Sequence, residues 1–337
     1  MPVSIIVGGF FGDEGKGKII SYLALKDDIE IAARGGVGPN AGHTVVMGDK
    51  KYKLRQLPSA VVNKKTRLLI GPGVLINPDI LIKEIEETGT HNRVGVDYQA
   101  GIIEPQHIEK DTKSSHLSKK IGTTKSGCGP ANADRALRVL KIAKDIELLK
   151  EFLTDVPSEL NNAIDEGKNI LLEGTQGTFL SLYHGTYPYV TSKDVTAAAI
   201  CSDVGIGPKK VDEIIVVFKA YVTRVGAGPL EGELDLEEIR RRGWEEIATV
   251  TGRVRRAAEF NMKLAKKAIM LNSATQIAIT KLDKLFPETE GVTNYSSLPK
   301  KAKEFIETIE GELKVPVTLI GTGPELHQII DLRKEKL

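Results

Sequence analysis

Ser4–Leu25 reads SIIVGGFFGDEGKGKIISYLAL: an apolar run, a glycine-rich loop and an amphipathic segment, in that order. Ser4–Val7 is the expected strand and Lys16–Leu25 the expected helix. Between them Gly12, four residues, Gly17 and Lys18 form the skeleton of a phosphate-binding loop. Backbone amides and a helix N-terminus can cradle phosphate oxygens at such a turn. The alternative, a glycine-rich turn that merely caps a helix, does not explain why strand, loop, lysines and helix arrive in the required order. Ile19 stands where the usual loop has a hydroxyl for Mg²⁺, so another oxygen must hold the metal, and Asp13 inside the loop is the candidate. An acid among phosphates is repelled unless a cation or a proton offsets it. Asp13 is therefore expected as a metal ligand, a base, or both.

Working outward, short β-branched runs alternate with amphipathic segments along the whole chain, the pattern of an α/β protein. Further strands are expected at Arg67–Ile70, Asn169–Leu172, Glu213–Phe218, Gln276–Thr280 and Val315–Ile320. Several are almost continuously apolar, as strands covered on both faces must be. Further helices are expected from Pro78 to Gly89, over Ala133–Leu149, Glu237–Arg242, Phe260–Leu271, Lys300–Ile309 and Pro324–Lys334. The expected fold is a large, mainly parallel central sheet with helices on both faces and elaborated active-site loops. No repeat or Pro/Ser-rich linker divides the 337 residues, so residues 1–337 are expected to form a single domain.

Composition narrows the function. Lys plus Arg number 47 and Asp plus Glu 45, a net charge of +2, which gives little bulk attraction for nucleic acid or an anionic membrane. Cys128 and Cys201 are too few for a disulfide framework or a four-cysteine zinc site. The N-terminus lacks signal-peptide features and no apolar run approaches the ~20 residues that span a bilayer. The expectation is a cytoplasmic protein.

The apolar runs end in polar or glycine-rich segments: Gly8–Lys18, EGTQGT at Glu173–Thr178, TKLD at Thr280–Asp283 and GTGPE at Gly321–Glu325. Ligands of open α/β sheets bind outside the carboxyl ends of the strands, so these segments point to one cleft. TKLD resembles the guanine-reading element of GTP-binding proteins. Asp283 can accept from guanine N1–H and its exocyclic amine, whereas adenine has no matching donor pair, and the Lys281 stem can lie over the base. GGVGPNAGHT at Gly35–Thr44 puts Asn40 and His43 on a loop whose glycines admit close approach of a ligand. There His43 would polarise a transferring phosphoryl group. TVTGRVRR at Thr249–Arg256 offers Arg253, Arg255 and Arg256, a density suited to carboxylate and phosphate. Without interleaved aromatics, small anions fit better than nucleic acid.

Together these segments resemble the adenylosuccinate synthetase family. GGFFGDEGKGK, GGVGPNAGHT, GTTKSGCGP, EGTQGT, HGTYPYVTS, GIGP, TVTGRVRR, TKLD and GTGP occur in the family's order, from Gly8 to Pro324. The chain resembles a compact, archaeal-type form. The resemblance implies a ligase that forms a C–N bond between IMP and L-aspartate, using GTP and Mg²⁺. A base removes the N1 proton of IMP, O6 takes the γ-phosphoryl group, and aspartate displaces phosphate from the 6-phosphoryl intermediate. It also implies roles. Asp13 would be the base and a Mg²⁺ ligand, Gly42 would give a backbone oxygen to the metal, and His43 would be the acid. Gly12 to Lys18 (including Glu14, Gly15, Lys16 and Gly17), Gly42, His43 and Thr44 would hold GTP phosphates. Arg255, Lys281, Leu282, Asp283, Gly321, Thr322 and Gly323 would complete the GTP site. IMP would meet Asp13, Glu14, Gly15, Lys16, Asn40, Ala41, Gly42, His43, Thr124, Gln176, Thr191 and Arg253. Arg138 would reach IMP from the other subunit of a homodimer. Thr249, Val250, Thr251, Gly252, Arg253, Val254 and Arg255 would close over aspartate. Two rivals share some of these parts: a nucleotide kinase with a basic lid, and a GTP-binding switch, against which Ile19 counts. Among departures from the family pattern, Phe11 replaces a Trp, and Ser126 stands where many members have Arg.

Overall fold

The computed structural model describes residues 3–247, 252 and 254–337. Ten strands form the main sheet: β1 (Val3–Gly8), β2 (Ile31–Arg34), β3 (Arg67–Ile70), β4 (Val94–Asp97), β5 (Leu153–Thr154), β6 (Ile170–Glu173), β7 (Glu213–Lys219), β8 (Gln276–Thr280), β9 (Val317–Gly321) and β10 (Ile329–Asp331). Their spatial order is β10-β9-β8-β7-β1-β6-β2-β3-β4-β5. Neighbours are parallel except β9 and β10. β1 is flanked by β6 and β7, with Ser4 opposite both Leu171 and Glu213.

The continuous apolar runs follow from burial on both faces. Val3, Ile5 and Val7 join one apolar cluster and Ile6 the other, because successive side chains point to opposite faces. Ile170 and Leu172 likewise part from Leu171, and Val216 and Phe218 from Ile215 and Val217. Helices Val156–Asp165, Ala197–Val204, Met262–Asn272 and Lys300–Leu313 cover the first face. α1 (Lys16–Lys26) and α2 (Pro78–Thr88) cover the second. Asn77 caps α2 through its side chain, Pro78 opens it, and Gly89 at φ 63° closes it. Among the described residues no helix is long and apolar enough to cross a membrane.

Two expected helices are corrected. Instead of Ala133–Leu149, α3 (Cys128–Leu137) ends at Arg138, whose φ of 66° reverses the backbone. The chain then runs extended, with the Ile102 amide donating to Lys141, and buries Ala143, Leu149 and Phe152 through two 3₁₀ turns. Instead of Pro324–Lys334, only Arg333–Lys336 is helical. The β-branched pair Ile329–Ile330 adds an antiparallel edge strand to β9. Sequence reading also missed β2, β4 and β5 of the main sheet and the hairpin His43–Met47 and Lys50–Leu54.

Candidate active site

The loop after β1 is shaped by left-handed backbone: Gly12, Asp13 and Gly15 have φ of 87°, 60° and 86°. The Glu14 carboxylate turns into the loop and accepts from the Phe10 amide (3.0 Å) and the Gly12 amide (2.7 Å). Lys16 Nζ donates to Glu14 (2.8 Å) and to the Gln176 carbonyl (2.5 Å), tying the loop to the end of β6. Gly177 has no alternative there, since a Cβ would collide with the Gly12 amide and the Phe10 carbonyl. On the other side Lys18 Nζ donates to the carbonyls of Gly323 (2.6 Å) and Gln328 (2.8 Å). Burial lowers Lys18 to about 8, against the pull of the Asp283 carboxylate. Phe11 lies beneath Arg224, with the guanidinium 4.5 Å from its ring centre, so that departure is absorbed by packing.

The hairpin delivers His43 to this loop. A Cβ on Gly17 would come within 3.0 Å of the His43 Cβ. His43 Nδ1 contacts Glu173 Oε1, and Glu173 also accepts from Arg34 (2.8 Å), the Ser59 amide (2.6 Å) and the Ser59 hydroxyl (2.9 Å). That contact puts the neutral ring's proton on Nδ1 and leaves Nε2 as its other polar atom. Burial depresses the proton affinity of His43, with Glu173 opposing. Burial also acts against the Glu173 carboxylate, but His43 and Arg34 outweigh it and hold it below the usual range.

Asp13 meets Arg255, Nη2 to Oδ1 at 3.0 Å. Arg255 is shared with Glu246, which also takes Lys219 (2.9 Å) and the Tyr221 hydroxyl. Lys219 and Arg255 overcome the burial of Glu246 and keep it below the carboxylate range. Thr249, Val250, Thr251 and Arg253 lie outside the described residues; Gly252 and Val254 are exposed. Gln176 donates to Asn40 (3.0 Å) and Asn40 to Thr191 (3.3 Å), so three residues far apart in the chain form one polar cluster. Thr124 and Ser126 share a hydrogen bond of 2.9 Å, and Arg55 reaches Ser126 at 3.3 Å.

At the end of β8, Lys281 takes φ 61° and starts a short helix. Asp283 is only 5% exposed and its Oδ1 has no hydrogen-bond partner, an acceptor left open. The Thr322 hydroxyl, by contrast, is spent on the Val292 carbonyl (2.7 Å). Arg138 sits exposed at the end of α3, without an ion pair among the described residues. Among those residues no group of three or more His, Cys, Asp or Glu gathers. Asp13, the carboxylate inside the loop, has the chemistry of a hard-cation ligand that shares its ion with substrate phosphates.

Sequence reading missed Arg34, Arg55, Glu173, Lys219 and Glu246. Glu173 and Lys219 did carry a signal: each is a charged residue closing an apolar strand at its carboxyl end.

A family model described as adenylosuccinate synthetase matches residues 5–147, 138–287 and 286–330. The adenylosuccinate synthetase of Methanocaldococcus jannaschii is 61% identical over 99% of this chain and 98% of its own length. That of Archaeoglobus fulgidus is 58% identical over the whole of both. The solved structure of a fully ligated adenylosuccinate synthetase from Plasmodium falciparum superposes with a TM-score of 0.90 at 28% identity, covering 98% of this chain and 100% of that one. The glycine-rich loop carrying Asp13 at the end of β1 and this agreement over the full length lead to one conclusion: the chain belongs to the adenylosuccinate synthetase family, the ligases that join IMP to L-aspartate at the expense of GTP on the route to AMP.

Proposed function

We propose that Asp13 is the base that takes the N1 proton of IMP, after which O6 attacks the γ-phosphate of GTP and the aspartate amine displaces phosphate from C6. Turning a poor leaving oxygen into phosphate is the chemical need, and positioning with charge stabilisation is the protein's contribution. Lys16 and the loop amides, held here by Glu14 and the Gln176 carbonyl, exchange those partners for the phosphates, with Gly12 to Lys18, Gly42 and Thr44 around them. His43, held through Nδ1 by Glu173, meets the transferring group with Nε2, which donates there once the ring takes its second proton, the state that the Glu173 charge favours. Arg255 must release Asp13 before the proton moves, and its turn toward ligand couples closure over aspartate to catalysis. Asn40, Gln176, Thr191 and Thr124 hold IMP, with Ala41 and Arg253 beside it, while Thr249 to Arg255 enclose aspartate. Lys281, Leu282, Asp283 and Gly321 to Gly323 frame guanine.

The family generally uses a metal ion. We take it as Mg²⁺ on Asp13 and the Gly42 carbonyl; when bound it would offset phosphate charge. We further read residues 1–337 as one domain working as a homodimer in the cytoplasm, where the free thiols of Cys128 and Cys201 would persist.

The observation that carries the reading is the meeting of Asp13, Lys16 and His43 around one loop, with the open Asp283 carboxylate at the end of β8. The test is an assay with IMP, GTP, Mg²⁺ and aspartate, omitting each in turn, on the natural protein and on Asp13→Asn. The variant should fold but lose ~10²- to 10⁴-fold in turnover. Near-normal turnover with unchanged Mg²⁺ dependence removes Asp13 from the mechanism.

A further inference from the structure

Arg55 follows the hairpin strand Lys50–Leu54 and is half-buried. Its guanidinium is held by neutral groups: Nε donates to the Pro39 carbonyl at 2.8 Å and Nη2 to the Ser126 hydroxyl at 3.3 Å. The Glu84 carboxylate, engaged by the amides of Arg55, Gln56 and Leu57, acts on the guanidinium through space without pairing with it, and burial outweighs that attraction. Among the described residues Arg55 has no ion-pair partner. A cation in this state favours an anion nearby, because screening by water is weak.

Such a place exists beside it. A cavity of about 250 Å³ is bounded by Arg55, Asn77, Thr124, Lys125 and Ser126, so its polar wall has two cations and no acid. Lys125 stands exposed at φ 57°, with its amine unpaired among the described residues. Thr124 and Ser126 line the same space, and because one hydroxyl donates to the other, one O–H of the pair is left to donate. Pro39, which anchors Arg55, directly precedes Asn40 of the polar cluster with Gln176 and Thr191.

We propose that Arg55 binds the 5′-phosphate of IMP, in the cavity that it shares with Thr124 and Ser126. This rests on the reading of Asn40, Gln176 and Thr191 as the IMP pocket. Phosphate is the only charged group on IMP, and a guanidinium fork matches its oxygens in a way an ammonium does not. Ser126 is where many members of the family carry arginine; here the guanidinium comes from residue 55.

The experiment measures KM for IMP, GTP and aspartate, and binding of IMP and of inosine, for Arg55→Ala, Arg55→Lys and Asn40→Ala, with thermal melts to confirm folding. Arg55→Ala should raise KM for IMP ~10- to 100-fold, the range for one lost charge-assisted contact. GTP and aspartate should move far less, and inosine, which has no phosphate, should bind as before. Arg55→Lys, which keeps charge and tests the idea even if the alanine variant unfolds, should fall between. If Asn40→Ala weakens IMP but neither Arg55 variant does, the proposal fails and the IMP pocket stands. If none of the three affects IMP, the pocket reading falls and takes the proposal with it. Equal weakening of IMP and inosine reduces Arg55 to packing, and a rise confined to aspartate assigns the cavity to a carboxylate. Both overturn the proposal.

Discussion

At the scale of single residues, Lys18 carries a charge where little water reaches it. Its ammonium bridges the helix after the phosphate loop to the carbonyls of Gly323 and Gln328, and burial brings it to about 8 from an ordinary 10.5. The sign of the pH effect follows. Below about 8 both folded and unfolded chains hold the proton, and the folded state bears the full burial penalty. Between about 8 and 10.5 the unfolded chain binds more protons, so this residue's contribution to stability rises with pH across that window. Denaturant unfolding between pH 7 and pH 10 should show a pH-dependent gain that shrinks in Lys18→Met. Identical slopes in the two proteins would mean that Lys18 titrates as a solvated amine.

At the scale of elements, the strands set positions and the turns beyond them set chemistry. β8 is wholly buried, and its next residue, Lys281, reverses into the left-handed region, which brings Asp283 round with an open acceptor. Asp283→Asn replaces that acceptor by an amide that mismatches guanine N1–H but can donate to the extra carbonyl of xanthine. GTP efficiency (kcat/KM) should fall and XTP use rise; equal use of ATP and GTP by the natural protein would sink the guanine assignment. The same division explains what could be read from the sequence. Six of the ten strands of the main sheet and the Gly8–Lys18 loop were legible because they depend on local spacing, whereas β2, β4 and β5, of four, four and two residues, are too short to show a period of their own. α3 was overextended because Leu140, Ala143 and Leu149 keep an apolar spacing, while the reversal at Arg138 bears no glycine to announce it. β10 was missed because three residues make an edge strand only once β9 lies beside them. Arg34 with Glu173, and Arg55 with Ser126, are separated by 139 and 71 positions, so only the folded chain pairs them. The Thr249–Arg256 segment is legible as a motif, with Thr249, Val250, Thr251 and Arg253 outside the described residues.

At the scale of the whole molecule, Arg138 stands between Leu137 and Val139, which are 70% and 69% exposed. Two large apolar side chains beside an exposed arginine suit an interface, and a twofold dimer with Arg138 crossing it would hold two composite sites. Mixing Arg138→Ala with Asp13→Asn tests this, since each homodimer is impaired but a mixed dimer has one site with both groups intact. Activity at low IMP should recover toward half of normal once subunits exchange; no recovery after demonstrated exchange confines Arg138 to its own chain. The central place of β1 has a further effect, on the order in which the protein is made. Glu213 follows its neighbour Ser4 by 209 positions (213 minus 4). At roughly 5–20 residues per second the ribosome needs about 10–40 s to supply that neighbour. For that interval a strand wholly buried in the finished sheet is an apolar ribbon without one of its partners, the state in which edges associate wrongly. A nascent chain therefore lacks one flank of β1 until about two-thirds of it has been synthesised, and the carbonyls that hold Lys18 after the loop, those of Gly323 and Gln328, come later still.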